Sequence, residues 1–303
     1  MKKFIKSLSV FFAPLLLLAI LSEVALRHIP NDYSLKKHYL DKNAKNIQVL
    51  ILGSSHAYFG LDPQYFQSPC FNAGYVSQSI LYDWDILEKY RHDWDSLRCI
   101  ILPVDYFTFY STLKASIESW RIRYYQIYYG FYDTLIPEDN FEILNNKLDY
   151  SLKKIYRFYI THSDSSYITQ SKLGWGTVYN SRNKQDLDST GIKAAKRHTA
   201  IDDRYFNDNV RELRSIMEFT SQRKIKLILL TFPSYSSYYK NLDSTQLNRT
   251  LTTVQDMVHS YSNCSYYNLL TDQEFSGADF YDGDHLNELG AKKLSLKIND
   301  LIK

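Results

Sequence analysis

"VLILGSSHAYFG", Val49 to Gly60, is the stretch that decides the fold. The β-branched and aliphatic run Ile47 to Leu52, closed by Gly53, predicts a strand buried on both faces, as strands of parallel sheets are. Two hydroxyls and an imidazole, Ser54, Ser55 and His56, follow at once. Such groups at the end of an apolar strand ask for a chemical reason.

Working outward, further strands are predicted at Cys70–Ala73 before Gly74, at Arg98–Val104, at Lys224–Phe232 stopped by Pro233, and at Ser265–Leu270. Helices are predicted at Ser79–Trp94, where Ile80, Trp84, Ile86, Leu87 and Tyr90 fall at helical spacing, and at Arg204–Arg223, Ser244–Ser260 and Glu288–Ile302. Between about residues 106 and 203 the pattern lapses into aromatic and polar sequence, read as a mostly helical insertion. Strands alternating with helices give an α/β fold with a parallel sheet covered on both faces. Ligands bind such sheets beyond the carboxyl ends of the strands. Ser54, Ser55, Gly74, Asp105 and Ser234 therefore converge on one edge.

A serine hydroxyl attacks carbonyls poorly without a base and a group that orients the base. Histidine suits the base because it titrates near neutrality. Of eight histidines, His285 stands out, in "FYDGDHLNELGA", Phe280 to Ala291, between the last strand and the last helix. Asp282, three residues before it, is close enough for one turn to aim its carboxylate at the imidazole. Asp284 is expected to point away, and Asn287 to cap the helix. The alternative for this loop is a plain polar turn with a cap.

Together these stretches resemble the SGNH/GDSL hydrolase superfamily. The resemblance implies a flavodoxin-like three-layer α/β/α fold and acyl-transfer chemistry. It implies Ser55 as nucleophile, with Ser54 replacing the usual aspartate, and Asp282 and His285 as orienter and base. The Ser55 and Gly74 amides, the latter in "FNAGYVSQS", would form the oxyanion hole. The third block departs from the family: Leu102-Pro103-Val104-Asp105 lacks the asparagine that donates to the oxyanion. Substrate contacts are expected from Ser54, His56, Asn72 and Asp105. No cofactor is required. A metal cluster of His56 with Asp282, Asp284 and His285 is disfavoured, because one loop plus one distant histidine gives no ligand spacing.

The chain has 303 residues, 45% hydrophobic, with a net charge of +3. That is material for one large domain or two small ones. An aromatic content of 16% excludes a solvated coil, and no basic run marks a nucleic-acid partner. Three cysteines, Cys70, Cys99 and Cys264, are too few for a disulfide framework. Tyrosine, at 27 copies, suits either a core or a polar sugar-binding groove, for which the insertion is the candidate.

Lys2, Lys3 and Lys6 precede an uncharged run from Ser7 to Ser22; Glu23 interrupts it and Val24-Ala25-Leu26 extend it to Arg27. Counted through Leu26, the run reaches spanning length, and Pro14 is tolerable there. Residues 1–27 read as an uncleaved single-pass anchor in the cytoplasmic membrane, N-terminus inside. A cleaved signal peptide is the rival, with only a poor site at Ser22-Glu23-Val24. Residues 28–46 read as a polar tether and 47–303 as the α/β domain.

The leading expectation is a membrane-anchored serine esterase or O-acyltransferase acting on a polysaccharide or another acylated cell-surface substrate, with a multi-span membrane protein supplying acyl groups to a transferase. A non-catalytic polysaccharide-binding or assembly factor on the same fold is the alternative, and a metal-dependent hydrolase is a third reading.

Overall fold

The computed structural model describes residues 2–131, 136–163 and 168–302. In chain order it contains α1 (Lys2–His28), α2 (Asp32–Asn43), β1 (Val49–Ile51), α3 (Ser55–Gly60), β2 (Cys70–Asn72), α4 (Ile80–Lys89), β3 (Cys99–Pro103), α5 (Ile122–Tyr124), α6 (Leu148–Tyr159), α7 (Leu187–His198), α8 (Phe206–Gln222), β4 (Lys226–Thr231), α9 (Ser236–Tyr239), α10 (Ser244–His259), β5 (Cys264–Asn268) and α11 (Glu288–Ile302). The chain divides into two compact units: Met1–His38 with Ser119–Ile168, and Tyr39–Glu118 with Thr169–Lys303.

The larger unit carries one five-stranded sheet, all parallel, in the order β2-β1-β3-β4-β5. This is the flavodoxin-like order, as expected, and it reverses direction between β1 and β3, where such sheets open a crevice. The inner strands β1, β3 and β4 read as apolar runs because both faces are covered, whereas the edge strand β5 is more polar and only partly buried. Val49, Ile51, Ile101, Ile228 and Leu230 pack with Ala57 and Leu61 around α3 and with Leu294 and Ile298 of α11. The alternate residues, Leu50, Ile100, Leu102, Leu227 and Leu229, point the other way and are equally buried. On α8, Leu213, Ile216 and Met217 are fully buried along one stripe, each contributing roughly 1.5–3 kcal/mol. Helix starts follow capping chemistry: Asp243 Oδ1 accepts the Gln246 N–H at 2.8 Å at the head of α10, and Asn287 Oδ1 accepts the Leu289 and Gly290 N–H groups at 2.9 and 3.1 Å at the head of α11.

In the smaller unit, α1 is apolar, with a mean hydropathy of 2.3 in its best window and nothing in that window buried. At about 40 Å it is long enough to cross a membrane. From Ser22 onward it packs: Ser22 and Leu26 are buried, and the Glu23 carboxylate accepts the Glu142 and Ile143 N–H groups at 3.1 and 2.9 Å. Tyr33 stacks on Tyr124 at 4.9 Å and meets Tyr125 edge-on at 5.1 Å, so these aromatic residues pack against one another rather than line a groove.

Two expectations are corrected. Residues 28–46 are no tether: most of them form α2, with Tyr33, Lys36 and Leu40 buried. The scattered lysines hid this, because Lys36 itself goes inside. The insertion is also shorter than 106–203. Residues 119–168 belong with α1, whereas 106–118 and 169–203, including α7, belong with the sheet. Continuous aromatic-polar composition concealed the break. Within that insertion, residues 132–135 and 164–167 lie outside the described residues.

Candidate active site

The turn after β1 is built around Gly53, whose φ is +103°. A Cβ there would sit 2.2 Å from both Cδ and Cγ of Pro103 on the neighbouring strand, so only glycine lets β1 and β3 end side by side. The Gly53 N–H donates to Asp83 Oδ1 at 2.7 Å, and Gln78 Nε2 donates to the same oxygen at 2.5 Å. Burial pushes the Asp83 carboxyl up to about 8, against those two donors. Ser54 caps α3, its Oγ accepting the His56 N–H at 3.4 Å. Ser55 is then the first residue of α3, partly buried at the carboxyl end of β1.

The 280–286 loop reaches the same place. It is pinned by the Phe280–Leu286 bridge, by Gly283 N–H donating to Thr190 Oγ1 at 2.9 Å and by Tyr235 N–H donating to Gly283 O at 3.0 Å. Gly283 lies against Gly191 of α7, where a Cβ would come within 2.2 Å of the Gly191 Cα. Asp282 Oδ1 accepts the Asp284 and His285 N–H groups at 3.1 and 2.8 Å, a turn that fixes its carboxylate. His285 Nδ1–H donates to Asp282 Oδ1 and Oδ2 at 3.0 and 3.1 Å. With Nδ1 carrying the proton, His285 Nε2 accepts from Ser55 Oγ–H at 2.8 Å. The structure thus brings Ser55, His285 and Asp282 into one hydroxyl–imidazole–carboxylate chain at the sheet's switch point.

Burial pulls the His285 pKa down, but the charges of Asp282 and Asp284 outweigh it and leave it above 6.5. A base must be neutral to accept the serine proton. The kcat/KM for an ester substrate should therefore rise with pH through an apparent pKa above 6.5. Asp284→Asn removes one of the two carboxylates and should move that limb to lower pH; a pH profile of kcat/KM checks this, and an unmoved limb would exclude the coupling.

Asp284 does not point away as expected. It is buried, with Oδ1 3.6 Å from His285 Nδ1 and Oδ2 3.5 Å from His56 Nε2. His285, His56 and His198 hold its carboxyl far below the usual range despite burial. His56, expected as a substrate contact, is buried between Asp105 and Asp284. One step along α3 from Ser55 turns it about 100°, behind the site, where Nδ1–H donates to Asp105 Oδ2 at 2.8 Å. Burial alone would lower its pKa; Asp105 and Asp284 instead raise it to about 10. Raised above its unfolded value, this histidine contributes stability that is complete below about 6.5 and lost as pH rises through about 10.

Asp105 Oδ1 accepts the Phe232 N–H at 3.1 Å, which ties the end of β3 to the end of β4. Asn72 is fully buried. Its Nδ2 donates to Ala57 O and Leu61 O, both at 2.8 Å, and its Oδ1 accepts the Gly74 N–H at 3.0 Å. That bond also corrects the expectation for Gly74, whose amide is directed at Asn72. The Ser55 N–H belongs to the first turn of a helix, whose amides find no intrahelical acceptor.

Ser54, Ser55 and His285 line a cavity of about 610 Å³, together with Ser77, Tyr179 and Arg197 among others. Sequence reasoning missed these last three, and Asp83, because each is brought in from a distant segment with no motif of its own. Tyr179 is sandwiched between Phe59 at 3.7 Å and Tyr281 at 3.9 Å. His198 lines the cavity too; burial lowers its pKa to about 3, so it acts as a neutral hydrogen-bonding group, with Nδ1 2.9 Å from Tyr238 Oη. His56, Asp284 and His285 each bring one ligand atom within 4.8 Å of the others. Both His285 nitrogens are already engaged by Ser55 and Asp282, and Arg197 stands 3.9 Å from Asp284, so this cluster is a poor cation site.

No family model matches the chain, and no curated protein matches it. Among solved structures it is similar to a Streptococcus pneumonia protein named a "putative platelet activating factor", at 11% identity and a TM-score of 0.44, covering 97% of this chain and 99% of that one. It is also similar to a "putative acylhydrolase" from Bacteroides fragilis NCTC 9343, at 12% identity and a TM-score of 0.41, covering 87% and 93% respectively.

Proposed function

We propose that the chain is a membrane-anchored serine esterase or O-acyltransferase of the SGNH type, acting on acyl groups, acetyl foremost, of an extracytoplasmic polysaccharide. The observation that carries this reading is the 2.8 Å contact of Ser55 Oγ with His285 Nε2, with Asp282 on the far nitrogen. As Ser55 Oγ attacks the acyl carbonyl, His285 takes its proton and Asp282 stabilises the imidazolium. The tetrahedral intermediate collapses, His285 returns the proton to the departing alkoxide, and an acyl-enzyme remains. Water or a sugar hydroxyl, deprotonated by His285, then attacks the acyl-enzyme and releases the acid or a new ester.

The cavity, lined by the hydroxyls of Ser54, Ser55, Ser77, Ser79, Ser111 and Thr112 among others, suits a polyol. The composition of α1 and the lysines at positions 2, 3 and 6 support an anchor with its N-terminus in the cytoplasm. A transferase so placed would draw its acyl groups from a multi-span membrane partner.

A second reading, a polysaccharide-binding or assembly factor without turnover, is favoured by one observation. The Gly74 amide is satisfied by Asn72, and β3 ends without a donor asparagine. Each missing oxyanion donor costs on the order of 10²–10³ in rate.

The substrate class is tested by the acyl content of the surface polysaccharide in cells carrying the wild-type chain or Ser55→Ala. The content should differ; identical content would remove the polysaccharide from the proposal.

A further inference from the structure

We infer that α6 lies in the membrane–water interface beside α1, so that the smaller unit meets lipid along a helix surface as well as through its anchor. This rests on reading α1 as membrane-spanning.

At about 100° per residue, ten of the twelve side chains of α6 sort into three stripes, with Tyr150 and Lys154 on the remaining side. Ser151 is buried and Ile155 and Phe158 are half-buried, on the side by which α6 packs against α1. Next to them runs an apolar stripe that nothing covers among the described residues: Leu148 is 62% exposed, Leu152 48%, Tyr156 58% and Tyr159 39%. Beyond it stand Asp149, Lys153 and Arg157, all exposed. A soluble surface seldom carries a continuous apolar stripe on an otherwise strongly amphipathic helix. An interfacial helix carries this one, with Lys153 and Arg157 toward anionic headgroups and Asp149 paired to Lys153 at 3.6 Å.

The position on the anchor agrees. Tyr159 Oη donates to Ala25 O at 3.0 Å, and α1 is bare as far as Leu21 apart from half-buried Ala19, then covered on one side from Ser22, with Val24 and His28 still exposed. The stripe of α6 therefore emerges where the lipid-facing length of α1 ends. Ile160, 64% exposed just past the helix, extends it.

Nitroxide labels on Leu152→Cys, Tyr156→Cys, Lys153→Cys and Leu16→Cys test this in the full chain reconstituted in vesicles of phosphatidylethanolamine and phosphatidylglycerol. The native cysteines are buried, which directs labelling to the introduced ones. Labels at positions 152 and 156 should show an oxygen-to-nickel-chelate accessibility ratio several-fold above that at 153. If 152 and 156 match 153, or are shielded from both reagents, while the label at 16 is immersed, the inference is wrong and the anchor stands. An aqueous label at 16 would instead overturn the anchor reading, and this inference with it.

Discussion

Ser55→Ala should lower kcat/KM for an ester substrate by on the order of 10⁴–10⁶, as removal of a nucleophile from a serine–histidine–carboxylate set does elsewhere. Ser55 Oγ is the one hydroxyl bonded to His285 Nε2 among the described residues. His285→Ala should cost about as much, and the double variant little more, because the groups act as a unit. The fold should survive. Ser55 is only partly buried, and losing one hydrogen bond costs about 1–3 kcal/mol. Steady-state kinetics with a thermal melt on the same samples separates lost chemistry from lost structure; additive losses in the double variant would contradict a coupled set.

Gly53→Ala should damage the fold itself. A Cβ 2.2 Å from two ring carbons of Pro103 cannot be relieved by a rotamer change, because the ring is fixed in β3, buried and paired with β4. The φ of +103° adds strain for any side chain. A loss of about 3–5 kcal/mol is expected, the upper range for core disruption, set against a total stability of roughly 5–15 kcal/mol. The contrast is Gly130→Ala, at φ +73° with nothing within 4 Å of the added carbon, where about 1–2 kcal/mol is expected. Urea denaturation of both variants measures the difference; equal losses would mean that the Pro103 contact relaxes.

The parts of the fold that depend on local pattern were legible in the sequence. The inner strands announced themselves as apolar runs, and alternation with helices required a parallel sheet. The Asp282–His285 spacing worked because both ends of that contact lie in one turn. What could not be read depended on rotation or on distance. Asp284 was expected outward as though the loop were extended, but the bridge closing residues 280–286 turns it in toward His56. His56 lies behind the site because Ser55 begins a helix rather than a loop. Asn72 and Asp105 stand at strand ends, where ligand contact is common; their side chains satisfy backbone groups of α3 and of Phe232 just past β4. Asp83 holds Gly53 from thirty positions away, and nothing in its own helix distinguishes it from a solvated aspartate.

The most direct test of an activated Ser55 is the reaction of the folded chain with a fluorophosphonate probe, followed by peptide mapping. The arrangement predicts one probe per chain, on Ser55 Oγ, with labelling lost in His285→Ala and strongly slowed in Asp282→Asn. A folded protein that stays unlabelled, or that reacts at another residue at the same rate in all three forms, would contradict it.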